Sequence, residues 1–123
     1  MKIKQQNINK SLLILLSLSF FVRAVLAMIV EFGNDEVYYW TYAMYPDWSH
    51  FDHPPMVGFF IQLFSGNLFF TNEFFLRLSS VICMTINTYM IFLIGKQVKN
   101  EQTGFYAALL YTASVYAFVI TGV

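Results

Sequence analysis

Asp35, Glu36, Asp47 and Asp52 place four carboxylates in one short stretch, and both histidines of the chain, His50 and His53, fall inside it. The same stretch carries Tyr38, Tyr39, Trp40, Tyr42 and Trp48. Carboxylates and imidazoles can move protons, hold a metal or bind a polar substrate. Ionisable groups at a membrane edge are costly to keep and usually serve a function. Asp35 and Glu36 are adjacent, so on a helix they point about 100° apart and do not form a facing acid pair. One is free to face a site while the other holds the helix or loop. Asp35 shares a helical face with Tyr38, Tyr39 and Tyr42, at i+3, i+4 and i+7. That face reads equally as a first-turn acid answering the helix dipole beside an aromatic belt at headgroup depth.

The second element is Asp52-His53-Pro54-Pro55. The prolines fix the backbone after His53 and present its imidazole rigidly, to donate to a phosphate, act as a base or bind metal. A plain helix-capping role fits the same residue. Asp47, His50, Asp52 and His53 form a possible metal cluster, but their spacing matches no standard zinc pattern. No metal ligand or cofactor is assigned from the sequence, and a divalent metal stays open. The lone Cys83 provides no disulfide framework.

The elements that must position these groups are membrane helices. The 123-residue chain is 58% hydrophobic and 11% charged, far from a soluble domain. The expected fold is all-α: polytopic transmembrane helices with short juxtamembrane helices in the first extracytoplasmic loop. Residues 1–10 form a cytoplasmic N-terminus, and 11–30 a first span long enough to cross ~30 Å of hydrocarbon. A cleaved signal peptide competes with that span. However, the apolar run is long for one, contains Arg23, and lacks a clear small-residue cleavage site. Residues 31–73 form the loop, 74–94 the second span, 95–103 a cytoplasmic loop, and 104–123 a third span that ends inside an apolar run. The chain therefore reads as an N-terminal fragment, and three spans are not expected to enclose a donor and an acceptor by themselves.

Lys2, Lys4, Lys10, Lys96 and Lys99 flank the spans on one side, whereas six of the seven acids lie in 31–73. The positive-inside rule makes the lysine side cytoplasmic and the acidic loop extracytoplasmic, at a bacterial inner membrane. Within the loop, Asn34 is the expected N-cap of a helix running to about Met44. A second helix starts at the double proline and lies along the membrane surface. Ser65-Gly66-Asn67 reads as a turn. Arg77, at the outer end of the second span, either snorkels to the headgroups or contributes to a site. Arg23 faces either the bundle or a lipid phosphate. Nothing in the sequence suggests nucleic-acid binding.

The Asp35-Glu36 pair, the aromatic run Val37-Tyr38-Tyr39-Trp40, Asp47-Trp48 and Phe51-Asp52-His53-Pro54-Pro55 resemble membrane glycosyltransferases of the GT-C fold. The chain is similar to the branch with dolichyl-phosphate-mannose protein mannosyltransferases and aminoarabinose lipid A transferases. Glu73-Phe74-Phe75-Leu76-Arg77-Leu78-Ser79-Ser80 resembles the start of that family's second span, and the resemblance extends over roughly Arg23 to Gly95.

The resemblance implies a polyprenyl-phosphate sugar donor, transfer with inversion, and a lipid, protein or glycan acceptor. It places Asp35 in the active site; an attacking hydroxyl must lose its proton, so Asp35 is the expected general base, with Glu36 a supporting acid. In the aminoarabinose transferases an acid and a Lys precede the double proline, positions held here by Asp52 and His53. Imidazole changes its charge near neutral pH, unlike lysine. Asp52, His53, Tyr39, Tyr42 and Arg77 are the expected substrate-binding residues. A phosphate leaving group needs cationic or hydrogen-bond stabilisation but no general acid, which suits one carboxylate beside a His or Arg. Two other functions remain open: a non-enzymatic membrane subunit binding a partner through the aromatic loop, and a metal-dependent hydrolase using Asp47, His50, Asp52 and His53.

Overall fold

The computed structural model describes residues 5–31, 33–51 and 53–114. Among them the chain is helical, without strands: α1 (Gln5–Ile29), α2 (Asn34–Met44), α3 (Met56–Phe64), α4 (Glu73–Val98) and α5 (Glu101–Ala113). Two helical stretches, Asn7–Ile29 and Glu73–Val98, are long and apolar enough to cross a membrane. At 1.5 Å per residue they extend about 35 Å and about 39 Å. The expected third span begins within α5, and its residues beyond Ser114 lie outside the described residues.

Both long helices overrun the apolar boundaries read from the sequence. Helix α1 takes in residues 5–10, where Ile8 is buried in the cluster with Leu12, Phe92 and Ala108. Asn72 starts α4 as its N-cap, its Oδ1 accepting from the Phe75 N–H at 3.1 Å. Asn100 does the same for α5 through the Thr103 N–H at 2.9 Å. Between them Lys96 pairs with Glu101 at 2.8 Å and closes the α4–α5 hairpin. The two helices cross where glycine meets glycine. A Cβ at Gly95 would stand 2.7 Å from the Gly104 Cα, so only hydrogen at these positions permits the approach.

The packing is concentrated at the two ends of the bundle. Where α1 begins and α4 ends, Ile8, Leu12, Phe92 and Ala108 form one buried cluster. At the opposite end Ala43, Ile61 and Leu76 join α2, α3 and α4, with Tyr39, Trp40 and Leu68 against them. Much of the remaining apolar surface is open, including Leu13, Phe21 and Met28 on α1 and Ile86, Met90 and Ile94 on α4. Such surface suits a lipid environment. Arg23 settles the alternative posed by its place in the span. It turns into the bundle, 1% exposed.

The first-loop helices match the expected pair, with two changes in their starts. Asn34 is the first helical residue, and extended Gly33 is the N-cap. The Gly33 N–H donates to Glu36 Oε2 at 2.9 Å, so the orphan amide is met by a side chain inside the helix. Helix α3 starts at Met56, with Pro55 as its cap and the Phe59 N–H donating to the Pro55 carbonyl. The expected turn runs on through Leu68: Gly66, Asn67 and Leu68 all have positive φ, and Ser65 Oγ accepts from the Leu68 N–H.

Candidate active site

Helix α2 separates its two acids. Glu36 turns toward the bundle and meets Arg77 of α4. The guanidinium Nε donates to Glu36 Oε1 and Nη2 to Oε2, both at 2.6 Å, a bidentate pair. Nη1 also donates to the carbonyls of Ala27 and Val30, and Nη2 to that of Glu31 at 3.0 Å. A guanidinium has five N–H donors, and these bonds engage all of them. The carbonyls lie at the C-terminal end of α1, where no basic residue of α1 itself is present. Arg77 therefore caps α1 from another helix and meets the negative end of its dipole.

Arg77 is 4% exposed and Glu36 15%. The structure thus gives Arg77 neither the snorkelling position nor a free donor for a substrate phosphate. It is the post to which α1, α2 and α4 are fastened. Burial pulls the Glu36 carboxyl upward, but the Arg77 and Gly33 hydrogen bonds and the Arg77 charge outweigh it, leaving its pKa below the ordinary value.

Asp35 points about 100° away from Glu36 around α2. It is exposed in the first turn of the helix, and no hydrogen bond or ion pair ties it to another described residue. Below it the tyrosines form a continuous aromatic row, with Tyr38 and Tyr42 ring centres 4.9 Å apart and those of Tyr39 and Tyr42 6.0 Å apart. The segment before α3 folds against this row. Tyr39 Oη and His53 Nε2 are 3.4 Å apart, and the direction of that bond depends on the imidazole tautomer. His53 also lies edge-on to Tyr39, with centroids 5.4 Å apart. His50 stacks flat on Tyr42 at 3.8 Å, with the planes 9° apart.

The structure therefore brings Tyr39, Tyr42 and His53 together and pairs Glu36 with Arg77, while Asp35 shares the tyrosines' side of α2 by helical register alone. Asp52 lies outside the described residues. No three His, Cys, Asp or Glu side chains among the described residues are grouped so as to hold a metal ion. The sequence offered His50 only as a metal candidate, whereas its ring packs on an aromatic partner instead. It also gave no role to Gly58, a single small residue among large apolar ones. A Cβ there would stand 2.9 Å from the Tyr42 carbonyl carbon and oxygen, so the absent side chain is what lets α3 lie against α2.

Chemically, the Asp35 face offers an accessible carboxylate, a phenol, an imidazole and aromatic surface. A carboxylate can take a proton, phenol and imidazole can donate to an anion, and aromatic rings can pack against a sugar or a lipid. The family model described as dolichyl-phosphate-mannose-protein mannosyltransferase matches residues 52–122, from Asp52 through His53, α3, α4 and α5. Helix α2, with Asp35 and Glu36, precedes the matched residues. No curated protein and no solved structure matches the chain.

Proposed function

Because the chain belongs to the dolichyl-phosphate-mannose-protein mannosyltransferase family, whose members are membrane glycosyltransferases, we propose that Asp35 is the general base of an inverting sugar transfer. The donor is a polyprenyl-phosphate sugar and the acceptor is a hydroxyl or phosphate of a lipid, protein or glycan. An acceptor hydroxyl oxygen attacks the anomeric carbon from the side opposite the phosphate. Its bond to carbon forms as the carbon–oxygen bond to phosphate breaks, and its proton passes to Asp35. The phosphate leaves on its polyprenyl chain with the bonding electrons. It needs stabilisation of negative charge but no proton.

With the Arg77 donors committed to α1 and Glu36, His53 and the Tyr39 hydroxyl take that role, and Asp52 lies one residue before His53. Glu36 acts by holding α2, and so Asp35, in place. Tyr42 is buried, so it acts behind the face by seating His50, and the exposed ring of Tyr38 supplies aromatic surface. The proposal puts α2 and α3 at the extracytoplasmic interface. The lysines Lys10, Lys96 and Lys99 near the far ends of α1 and α4 support that orientation.

The observation that carries the reading is the split of the acid pair: one carboxylate is consumed by a buried guanidinium, and the other is left accessible on an aromatic, histidine-bearing face. Its test is sugar transfer by the full-length protein in membranes supplied with polyprenyl-phosphate sugars, comparing wild type with Asp35→Asn at matched expression. Transfer should disappear in the variant without loss of folded protein. A wild-type rate in Asp35→Asn would remove Asp35 from the reaction.

A further inference from the structure

Between α2 and α3 the chain runs from Tyr45 to Pro55 outside any helix. From Tyr45 to Pro54 every described residue is exposed except His50. The Asp47 carboxylate accepts from the Trp48 N–H at 2.7 Å, and Ser49 Oγ donates to the His50 carbonyl at 3.4 Å, bonds that stay within the segment. Aromatic contacts reach the helices instead. Trp48 lies edge-on to Phe59 of α3 with centres 6.2 Å apart, and His50 lies flat on Tyr42 of α2. Phe59 is itself partly open, whereas Tyr42 is 5% exposed. His50 thus rests on a fixed part of the structure.

His53 follows three residues later, a reach of at most about 11 Å. It meets Tyr39, which precedes Tyr42 by three residues on the same face of α2. The two histidines therefore sit on neighbouring rings of one row. At 3.4 Å the Tyr39–His53 bond is long, and both groups keep contact with solvent, so it is a weak anchor for the segment.

Uncharged rings favour offset or edge-to-face contacts with centres about 4.5–7 Å apart. Tyr38–Tyr42, Tyr39–His53 and Trp48–Phe59 are arranged in that way, tilted by 60°, 78° and 68°. His50 and Tyr42 are not, because 3.8 Å and 9° leave the rings nearly superposed. A cation is attracted to a ring face within about 6 Å, so this stack suits a charged imidazole. The titratable groups of α2 on that side are Tyr38, Tyr39, Tyr42 and, by register, Asp35, and the segment itself adds Asp47. Helix α3 adds no charge, and Glu36 is engaged by Arg77. The charges near His50 are thus carboxylates, which favour its cationic form.

We propose that His50 is a positioning residue: stacked on Tyr42, it holds His53 against Tyr39, and it holds most firmly when its imidazole is charged. The seat stands on this geometry alone, and its use in holding the donor phosphate rests on the reading of His53 given above. Imidazole gains its charge as the pH falls through about 6.5, so the seat tightens on acidification and loosens as the pH rises.

The test uses the full-length protein in nanodiscs. Amide hydrogen exchange of residues 45–55, corrected for the intrinsic effect of pH, reads the seat without turnover. In the wild type it should be about fivefold slower at pH 5.5 than at pH 8. His50→Ala should exchange fast at both. His50→Phe keeps a ring without the charge, so it should be slower than His50→Ala and show no pH response. The response of the wild type should survive in His53→Gln. Affinity for a polyprenyl phosphate without sugar should fall about fivefold in His50→Ala at pH 5.5 and recover in part in His50→Phe.

Exchange in His50→Ala equal to wild type would overturn the proposal, as would a wild-type exchange rate independent of pH. Exchange as expected with unchanged phosphate affinity would overturn the role of the seat in holding the donor. Both as expected, with no sugar transfer by the wild type, would keep His50 as a positioning residue and remove the proposed reaction.

Discussion

The bond between Arg77 and Glu36 can be weighed by a double-mutant cycle. Arg77→Met removes five hydrogen bonds at once and leaves a half-buried carboxylate with only the Gly33 N–H. Breaking a buried pair from one side costs about 3–5 kcal/mol. Glu36 keeps some solvent contact, so the lower part of that range applies, about 3 kcal/mol. Glu36→Met strands a guanidinium that still holds three carbonyls of the α1 end, and should cost about 1–3 kcal/mol. With both changed, no charge is left unpaired. The double variant should therefore be less destabilised than the sum by at least ~1 kcal/mol.

Arg77→Lys should fall between wild type and Arg77→Met: it keeps a cation beside Glu36, but one ammonium cannot reach a bidentate carboxylate and three carbonyls together. Reversible denaturation in mixed micelles, followed by tryptophan fluorescence, gives the four free energies. Effects that add to within ~0.5 kcal/mol would mean the two side chains are not coupled, and the brace would be refuted.

The depressed Glu36 carboxyl has a consequence for pH. Its folded-state pKa lies below the ordinary value of 4.5, so the pair stabilises the protein above that value and the contribution is lost as the pH falls through the folded pKa. The stability difference between wild type and Glu36→Gln should shrink on acidification through that window, and a constant gap would contradict the assignment. Gly58→Ala would push a Cβ to 2.9 Å from the Tyr42 backbone, so α2 and α3 must part; an overpacking cost of ~1–3 kcal/mol is expected in the same denaturation assay. Gly104→Ala presses on the Phe92 carbonyl and should cost a similar ~1–3 kcal/mol through the α4–α5 hairpin alone, leaving His53–Tyr39 packing intact by NMR. On the proposed mechanism Tyr39→Phe should weaken transfer less than Asp35→Asn, since it would remove one donor to the leaving phosphate and keep His53; an equal loss would make Tyr39 more than an auxiliary donor.

Hydropathy and turn residues made the helices legible. Helices form over both apolar runs, at Asn34 and after the double proline, with α1 starting at Gln5 rather than at residue 11. Periodicity also made it clear that Asp35 and Glu36 must diverge. It did not say which acid faces inward, because that depends on a partner 41 residues away. Local sequence carries no record of such a distant pairing. The available signal was an acid just after one span and a lone arginine at the start of the next.

The stacking of His50 on Tyr42 was illegible for a related reason. The loop between them can close in many ways, and the packing of α3 on α2, close at Gly58, is not written in the local sequence. Arg23 was undecidable from sequence because a cation near the end of a span has two satisfactory places, and helix packing chooses between them.

Arg77 fastens the end of α1 to the start of α2, yet the chain reaches it only after α3 and the turn at Gly66 have been made. During synthesis the first span can enter the bilayer and α2 can coil, but neither has its final anchor until residue 77 leaves the ribosome and the second span inserts. The placement of α2, and with it Asp35, therefore depends on α4 being in place. A nascent chain stopped short of α4 would display the same acids and aromatics on an untethered loop.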